Sequence, residues 1–117
     1  MYDKNNVFYK ILQSEIPCQK IFENDIVMAF HDINPVCEIH ALVITKNLYR
    51  NFSEFALQAP DAELREFSKT IVKITEILKI SETGYRLLTN AGADSGQEIE
   101  HFHVHILGGK NLAKALI

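Results

Sequence analysis

The chain has 117 residues, 47% hydrophobic and 23% charged, with only 3 Pro and 5 Gly. These proportions exclude a disordered, collagen-like or linker-rich chain, and the length predicts one domain over residues 1–117. Lys+Arg of 12 against Asp+Glu of 15 gives a net charge of −3, without the basic excess of a nucleic-acid-binding domain, so no nucleic-acid partner is expected.

The chain opens on the polar run Met-Tyr-Asp-Lys-Asn-Asn, which no apolar core of signal-peptide length follows. From Asn6 to Ser14, Val7, Phe8, Ile11 and Leu12 share one side of a helical wheel, and Pro17 closes that short helix. Lys20–Phe22 and Ile26–Phe30 read as two strands of a hairpin across Glu23-Asn24-Asp25. Asn34-Pro35 marks a turn before a third strand, Ile39–Thr45. Ser53 is a candidate cap for a brief helical turn.

From Asp61 to about Ile80, Leu64, Phe67, Ile71, Ile74 and Leu78 recur at the spacing of an amphipathic helix, with Val72 and Ile77 widening the apolar arc. Asp61, Glu63 and Glu66 near its start and Lys79 at its end match the helix dipole, and Thr83-Gly84 is the expected stop. Tyr85–Thr89 reads as a strand, Asn90–Gln97 as a Gly-rich loop and His101–Leu107 as the final strand. The tail, 110–117, is apolar at Leu112, Ala113, Ala115, Leu116 and Ile117. One long and one short helix with about five antiparallel strands predict an α+β fold. No stretch approaches the roughly 20 apolar residues of a membrane span. Cys18 and Cys37 are too few for a disulfide framework. A cytoplasmic protein with no membrane partner is expected.

The chemistry concentrates in the last strand. His101, His103 and His105 alternate with Phe102, Val104 and Ile106, and the period of 2 along a strand gives the imidazoles one face and the apolar residues the other. A neutral imidazole, with an unperturbed pKa near 6.5, offers a lone pair at neutral pH that attacks phosphorus to form a covalent phosphoramidate. Zinc is the competing use of a His-x-His strand, but residues i and i+4 lie ~13 Å apart along a strand, too far to share one ion. No HExxH or Cys-x-x-Cys supports a metal. His40 and His31 lie on or beside earlier strands.

His-Phe-His-Val-His-Ile-Leu resembles the signature of the histidine-triad (HIT) family. The likeness extends over nearly the whole chain, through Glu15-Ile16-Pro17, Ala29-Phe30-His31-Asp32-Ile33-Asn34-Pro35, His40 with Leu42-Val43-Ile44, Gly84-Tyr85-Arg86, Asn90, Gly96-Gln97 and Gly108-Gly109. Glu15-Ile16-Pro17 and the closing glycines favour the Hint branch.

The resemblance implies a HIT-like fold that hydrolyses purine nucleoside 5′-phosphoramidates, of the AMP-lysine or AMP-NH2 type, through a nucleotidyl-histidine intermediate. It requires no cofactor and no metal. His103 would be the nucleophile and His105 would contact the phosphate and leaving group, with His101 and His40 in the supporting network. Asp32 would hold the ribose hydroxyls, and Asn90 would be a polar neighbour. Phe8, Ile11, Phe30, Ile33 and Leu42 would form the slot for the base; all five are also ordinary core residues, and Asp32 is equally suited to capping a turn. A homodimer is expected from the wide apolar arc of the long helix and from the family's twofold packing, with the tail either docked on the neighbour or folded locally. The sequence departs from familiar members at Glu98, where many carry a phosphate-contacting serine, and at Leu48, where many carry a further histidine. Two alternatives stand beside the hydrolase: a nucleotide- or partner-binding protein with secondary catalysis, and a zinc-binding protein.

Overall fold

Alternation of side chains sorts the middle strands into two apolar faces, and each face is covered by helices. In the computed structural model, which describes residues 1–110 and 112, the strands are β1 (Lys20–Glu23), β2 (Val27–His31), β3 (Ile39–Thr45), β4 (Tyr85–Leu88) and β5 (His103–Gly108). They form one antiparallel sheet in the order β1-β2-β3-β5-β4, so the last strand in sequence lies second from one edge. The helices are α1 (Val7–Leu12), α2 (Phe52–Gln58) and α3 (Asp61–Ile77).

On one face Val27, Ala29, Ala41, Val43, Val104 and Ile106 meet Phe55 of α2 and Phe67, Ile71 and Ile74 of α3. Phe102 closes this core, with its ring stacked on Phe55 at 4.6 Å between centroids. On the other face Met28, Phe30, Leu42 and Ile44 meet Phe8 and Ile11 of α1. The α+β class and the five antiparallel strands agree with the expectation from sequence, and Leu64, Phe67, Ile71, Ile74 and Leu78 pack as predicted against the first face.

Several boundaries differ. The long helix ends at Ile77 rather than Ile80, because Lys79 turns to φ +62 and Ile80 turns back into the core; Lys79 therefore lies past the helix, outside its last turn. The break precedes Thr83-Gly84. The brief turn assigned to Ser53 is a seven-residue helix, capped by the Asn51 side chain accepting from the Glu54 N–H. The first helix ends at Leu12, and Ser14 adopts φ +61. In the hairpin, β1 runs on to Glu23 and β2 starts at Val27, while β4 stops at Leu88. The final strand starts at His103 and not at His101, because the Phe102 N–H bonds the Tyr49 carbonyl at 2.7 Å rather than a strand neighbour. It ends on Gly108, where a Cβ would lie 2.7 Å from Ile80 Cδ1. Gly109 follows at φ +99, a conformation that favours glycine. Of the apolar tail, Leu112 is half-buried and Ala113, Ala115, Leu116 and Ile117 lie outside the described residues.

Candidate active site

Strand pairing sets His105 of β5 opposite Leu42 of β3 and His103 opposite Ile44, so both imidazoles emerge on the α1 face. Phe8 of α1 presents its ring to His103, 4.9 Å between centroids in an edge-to-face arrangement. Phe8, Leu42, His103 and His105 line a pocket of about 470 Å³, within the range of small-molecule sites. Its apolar wall includes Val7, Phe8, Ile11, Phe30 and Leu42. Its ionisable lining is Cys18, His31, Asp32, His40, Glu98, His103 and His105, with no lysine or arginine among the described lining residues.

Hydrogen bonds fix each imidazole's tautomer, because a carbonyl only accepts and a backbone N–H only donates. His103 Nδ1 lies 2.6 Å from the His101 carbonyl and therefore donates to it. In the neutral ring this leaves Nε2 with a free lone pair. His101 Nε2 donates in the same way to the Thr45 carbonyl at 2.7 Å. Its Nδ1 accordingly accepts, and the Tyr2 hydroxyl lies 2.5 Å away as donor.

His40 follows the opposite pattern. The Val36 N–H donates to His40 Nδ1 at 3.1 Å, so Nε2 carries the proton and donates to His105 Nδ1 at 2.8 Å. Asp32 Oδ2, 3.3 Å from His40 Nε2, is a second acceptor for that N–H. His105 is left with its proton on Nε2. One strand thus offers a lone pair at His103 and a donor at His105, with ring centroids 5.1 Å apart.

Electrostatics keep these rings neutral. Burial, together with the neighbouring His103, brings His101 and His105 down to about 4. Burial lowers His103 and His40 as well, against the Asp32 carboxylate that raises them. A neutral ring is the nucleophilic form.

Asp32, His40 and His105 also bring ligand-type atoms within 4.8 Å of one another. A metal on His40 Nε2 would need that nitrogen's lone pair, which puts the proton on Nδ1 against the Val36 N–H. The donor set does not suit a cation.

Of the residues singled out from sequence, the structure gathers Phe8, Ile11, Phe30, Asp32, Ile33, His40, Leu42, Asn90, His103 and His105 around the pocket. Ile33 stands at its mouth, 85% exposed rather than buried in the slot. His101 is not in the lining; it is fully buried behind His103. Asp32 also serves as a turn residue, with Oδ1 accepting from the Asn34 N–H. Glu98 lies on the wall, whereas Leu48 lies away from it.

Sequence reasoning missed Tyr2 and the carbonyl of Thr45, since neither a chain-start tyrosine nor a backbone oxygen carries a pattern. It also missed the task of Gln97. The Gln97 amide donates to the Arg50 and Ile99 carbonyls and accepts from the Gly92 N–H, lacing the Gly-rich loop to the pocket rim.

The sequence profile of the HIT domain matches residues 13–112. The chain belongs to the HIT family. Among HIT proteins it is 41% identical to a HIT-like protein of Azospirillum brasilense, over 95% of this chain and 91% of that one. It is 35% identical to the purine nucleoside phosphoramidase of Escherichia coli K12, over 97% of this chain and 94% of the enzyme. The structure of a HIT family hydrolase from Clostridium thermocellum superposes with a TM-score of 0.85 at 35% identity, over 98% of this chain and 99% of that one.

Proposed function

We propose that this HIT protein hydrolyses purine nucleoside 5′-phosphoramidates through a covalent intermediate on His103. The observation that carries the reading is the tautomer pair on β5: His103 with a free Nε2 lone pair and His105 with an Nε2 donor, both on an apolar pocket wall. The 35% identity to the E. coli phosphoramidase supports the substrate class.

The base lies among Phe8, Ile11, Phe30, Ile33 and Leu42, the ribose hydroxyls reach Asp32, and Asn90 is a polar neighbour. With no lysine or arginine among the described lining residues, the phosphate raises the proton affinity of the imidazoles it meets, so His105 takes up a second proton at Nδ1 in the complex, and the Asp32 carboxylate beside both rings accepts from it and from His40 Nε2–H. His103 Nε2 then attacks phosphorus. The P–N bond to the amine breaks, and the departing nitrogen takes the Nε2 proton of His105, which keeps the one on Nδ1. In the second half a water attacks phosphorus and returns a proton to His105, and the P–His103 bond breaks to release the nucleoside monophosphate. His101 and His40 set the two rings through the bonds described. No cofactor enters this sequence.

We propose further that the 117 residues act as one cytoplasmic domain, working as a homodimer. Half-exposed Val72 and Ile77 on α3 and exposed Tyr85 and Leu87 on the edge strand β4 support self-association.

Incubation with adenosine 5′-phosphoramidate and mass analysis of the quenched protein tests the mechanism. An AMP adduct on the peptide carrying His103 is expected, with turnover unchanged by EDTA. Absence of both adduct and turnover would refute the reading. Sedimentation at micromolar protein checks the dimer, and a 13.4 kDa species with full activity rejects it.

A further inference from the structure

The N-terminal residues lie outside every block that makes up the chemistry, yet they reach its interior. Asp3 begins a turn in which its Oδ1 accepts from the Asn5 N–H and its carbonyl accepts from the Asn6 side-chain amide. Asn6 in turn caps α1 by accepting from the Tyr9 N–H. This turn directs Tyr2 back over α1. Its ring meets Tyr9 edge-on at 6.2 Å and His101 edge-on at 5.6 Å between centroids. Its hydroxyl ends 2.5 Å from His101 Nδ1, across 99 positions of sequence.

We propose that Tyr2 is a positioning residue for the nucleophile, acting through the buried His101. The inference rests on the assignment of His103 as nucleophile. His101 is fully buried and holds its other nitrogen on the Thr45 carbonyl. Its Nδ1 lone pair therefore has to be met inside the protein or left without a partner, at a cost. The Tyr2 hydroxyl meets it. Burial raises the Tyr2 phenol above its ordinary range, which keeps it protonated as a donor.

His101 is then held at both ring nitrogens. That matters because the carbonyl of the same residue accepts the His103 Nδ1 proton and so leaves Nε2 bare. Freeing one end of the His101 ring lets residue 101 shift, and the His103 tautomer loses the acceptor that selects it. The hydroxyl does not line the pocket, so it acts at a remove from the substrate, with His101 as its hydrogen-bond partner.

Tyr2→Phe removes the hydroxyl and keeps the ring that packs on Tyr9 and His101. Two readouts decide. Long-range nitrogen–proton spectra of the ligand-free protein report the tautomers directly. In the wild type, His103 is expected with its proton wholly on Nδ1. In the variant, the His101 Nδ1 resonance moves toward that of a lone pair without a donor, and a share of His103 appears with its proton on Nε2. With adenosine 5′-phosphoramidate, kcat is expected to fall about 10-fold while KM stays within about twofold, since misplacing a reacting group slows chemistry more than binding. Incorporating 3-fluorotyrosine at position 2 restores the donor and is expected to restore both readouts, which also covers poor folding of the phenylalanine variant. Unchanged His103 resonances in Tyr2→Phe, or a lowered kcat that fluorotyrosine fails to rescue, would overturn the proposal. If the wild type does not turn over the phosphoramidate, the substrate reading falls separately, and the nitrogen spectra still decide this one.

Discussion

The two faces of the sheet are built from the same strands by the same alternation, yet they are organised for different ends. Against α2 and α3 the sheet buries a dry cluster in which Phe55, Phe67 and Phe102 pack ring on ring. Against α1 it holds imidazoles whose hydrogen bonds run to backbone groups, to another imidazole, to the Tyr2 hydroxyl and to the Asp32 carboxylate. The residue pair Phe102 and His103 shows the division within one peptide unit, since the first closes the apolar core and the second faces the pocket. The comparison teaches that one strand supplies stability and reactivity with little conflict when its two faces have separate partners.

The comparison breaks most completely at His103. On the proposed reading His103→Ala abolishes turnover, a loss of more than about 10⁴-fold, while denaturant unfolding changes by much less. A rate within tenfold of wild type would show that the pocket face is not where the chemistry lies. The opposite face gives the complementary result. Phe102→Ala should cost about 3–5 kcal/mol of stability by urea unfolding, with kcat per folded molecule within about threefold.

Titration separates the faces by pH, because His40, His101 and His103 are buried on the α1 side, whereas the cluster against α2 and α3 is built of hydrophobic residues. The native His101 stays neutral down to about 4, whereas in the unfolded chain it protonates near 6.5. Its contribution is therefore fully present above about 6.5 and is lost as pH falls toward 4. The loss is on the order of 3 kcal/mol for this fully buried group. His101→Phe should flatten the slope of stability between these pH values, and an unchanged slope would reject the assignment. The smallest effect is expected at the rim. Asp32→Asn should reduce the preference for ribose over 2′-deoxyribose ligands by about 1 kcal/mol, measured by competitive binding.

How much of this was legible in sequence follows from the range of each interaction. The alternation His101 to Ile106 and the stripe from Leu64 to Leu78 are local periodicities, and both survive in the structure. Asn51 was overlooked as a cap because Ser53 offers the same chemistry two residues on, and only the backbone at Asn51, extended at φ −158, decides between them. The break at Lys79 depends on Ile80 finding a seat against Gly108, a contact between residues far apart in sequence. The tautomers were out of reach for the same reason. They depend on the carbonyls of Thr45 and His101 and on the N–H of Val36, backbone groups common to nearly all residues, which only the fold aims.

The position of β5 between β3 and β4 has a consequence for how the protein is made. β3 pairs with β2 as soon as the hairpin forms, but its other edge waits until His103–Gly108 has been synthesised. Until then β4 has no neighbour in the sheet. A nascent chain that stops near residue 100 therefore carries two unsatisfied strand edges and half a pocket, with Asp32 and His40 present but His103 and His105 absent. Closure of the sheet and the joining of His103 and His105 to His40 and Asp32 are the same event, and it brings together residues more than 60 positions apart, such as His40 and Leu107. Long-range pairing of this kind folds slowly. Premature termination within the last strand should thus yield a chain prone to edge-to-edge association rather than a folded domain with an incomplete pocket.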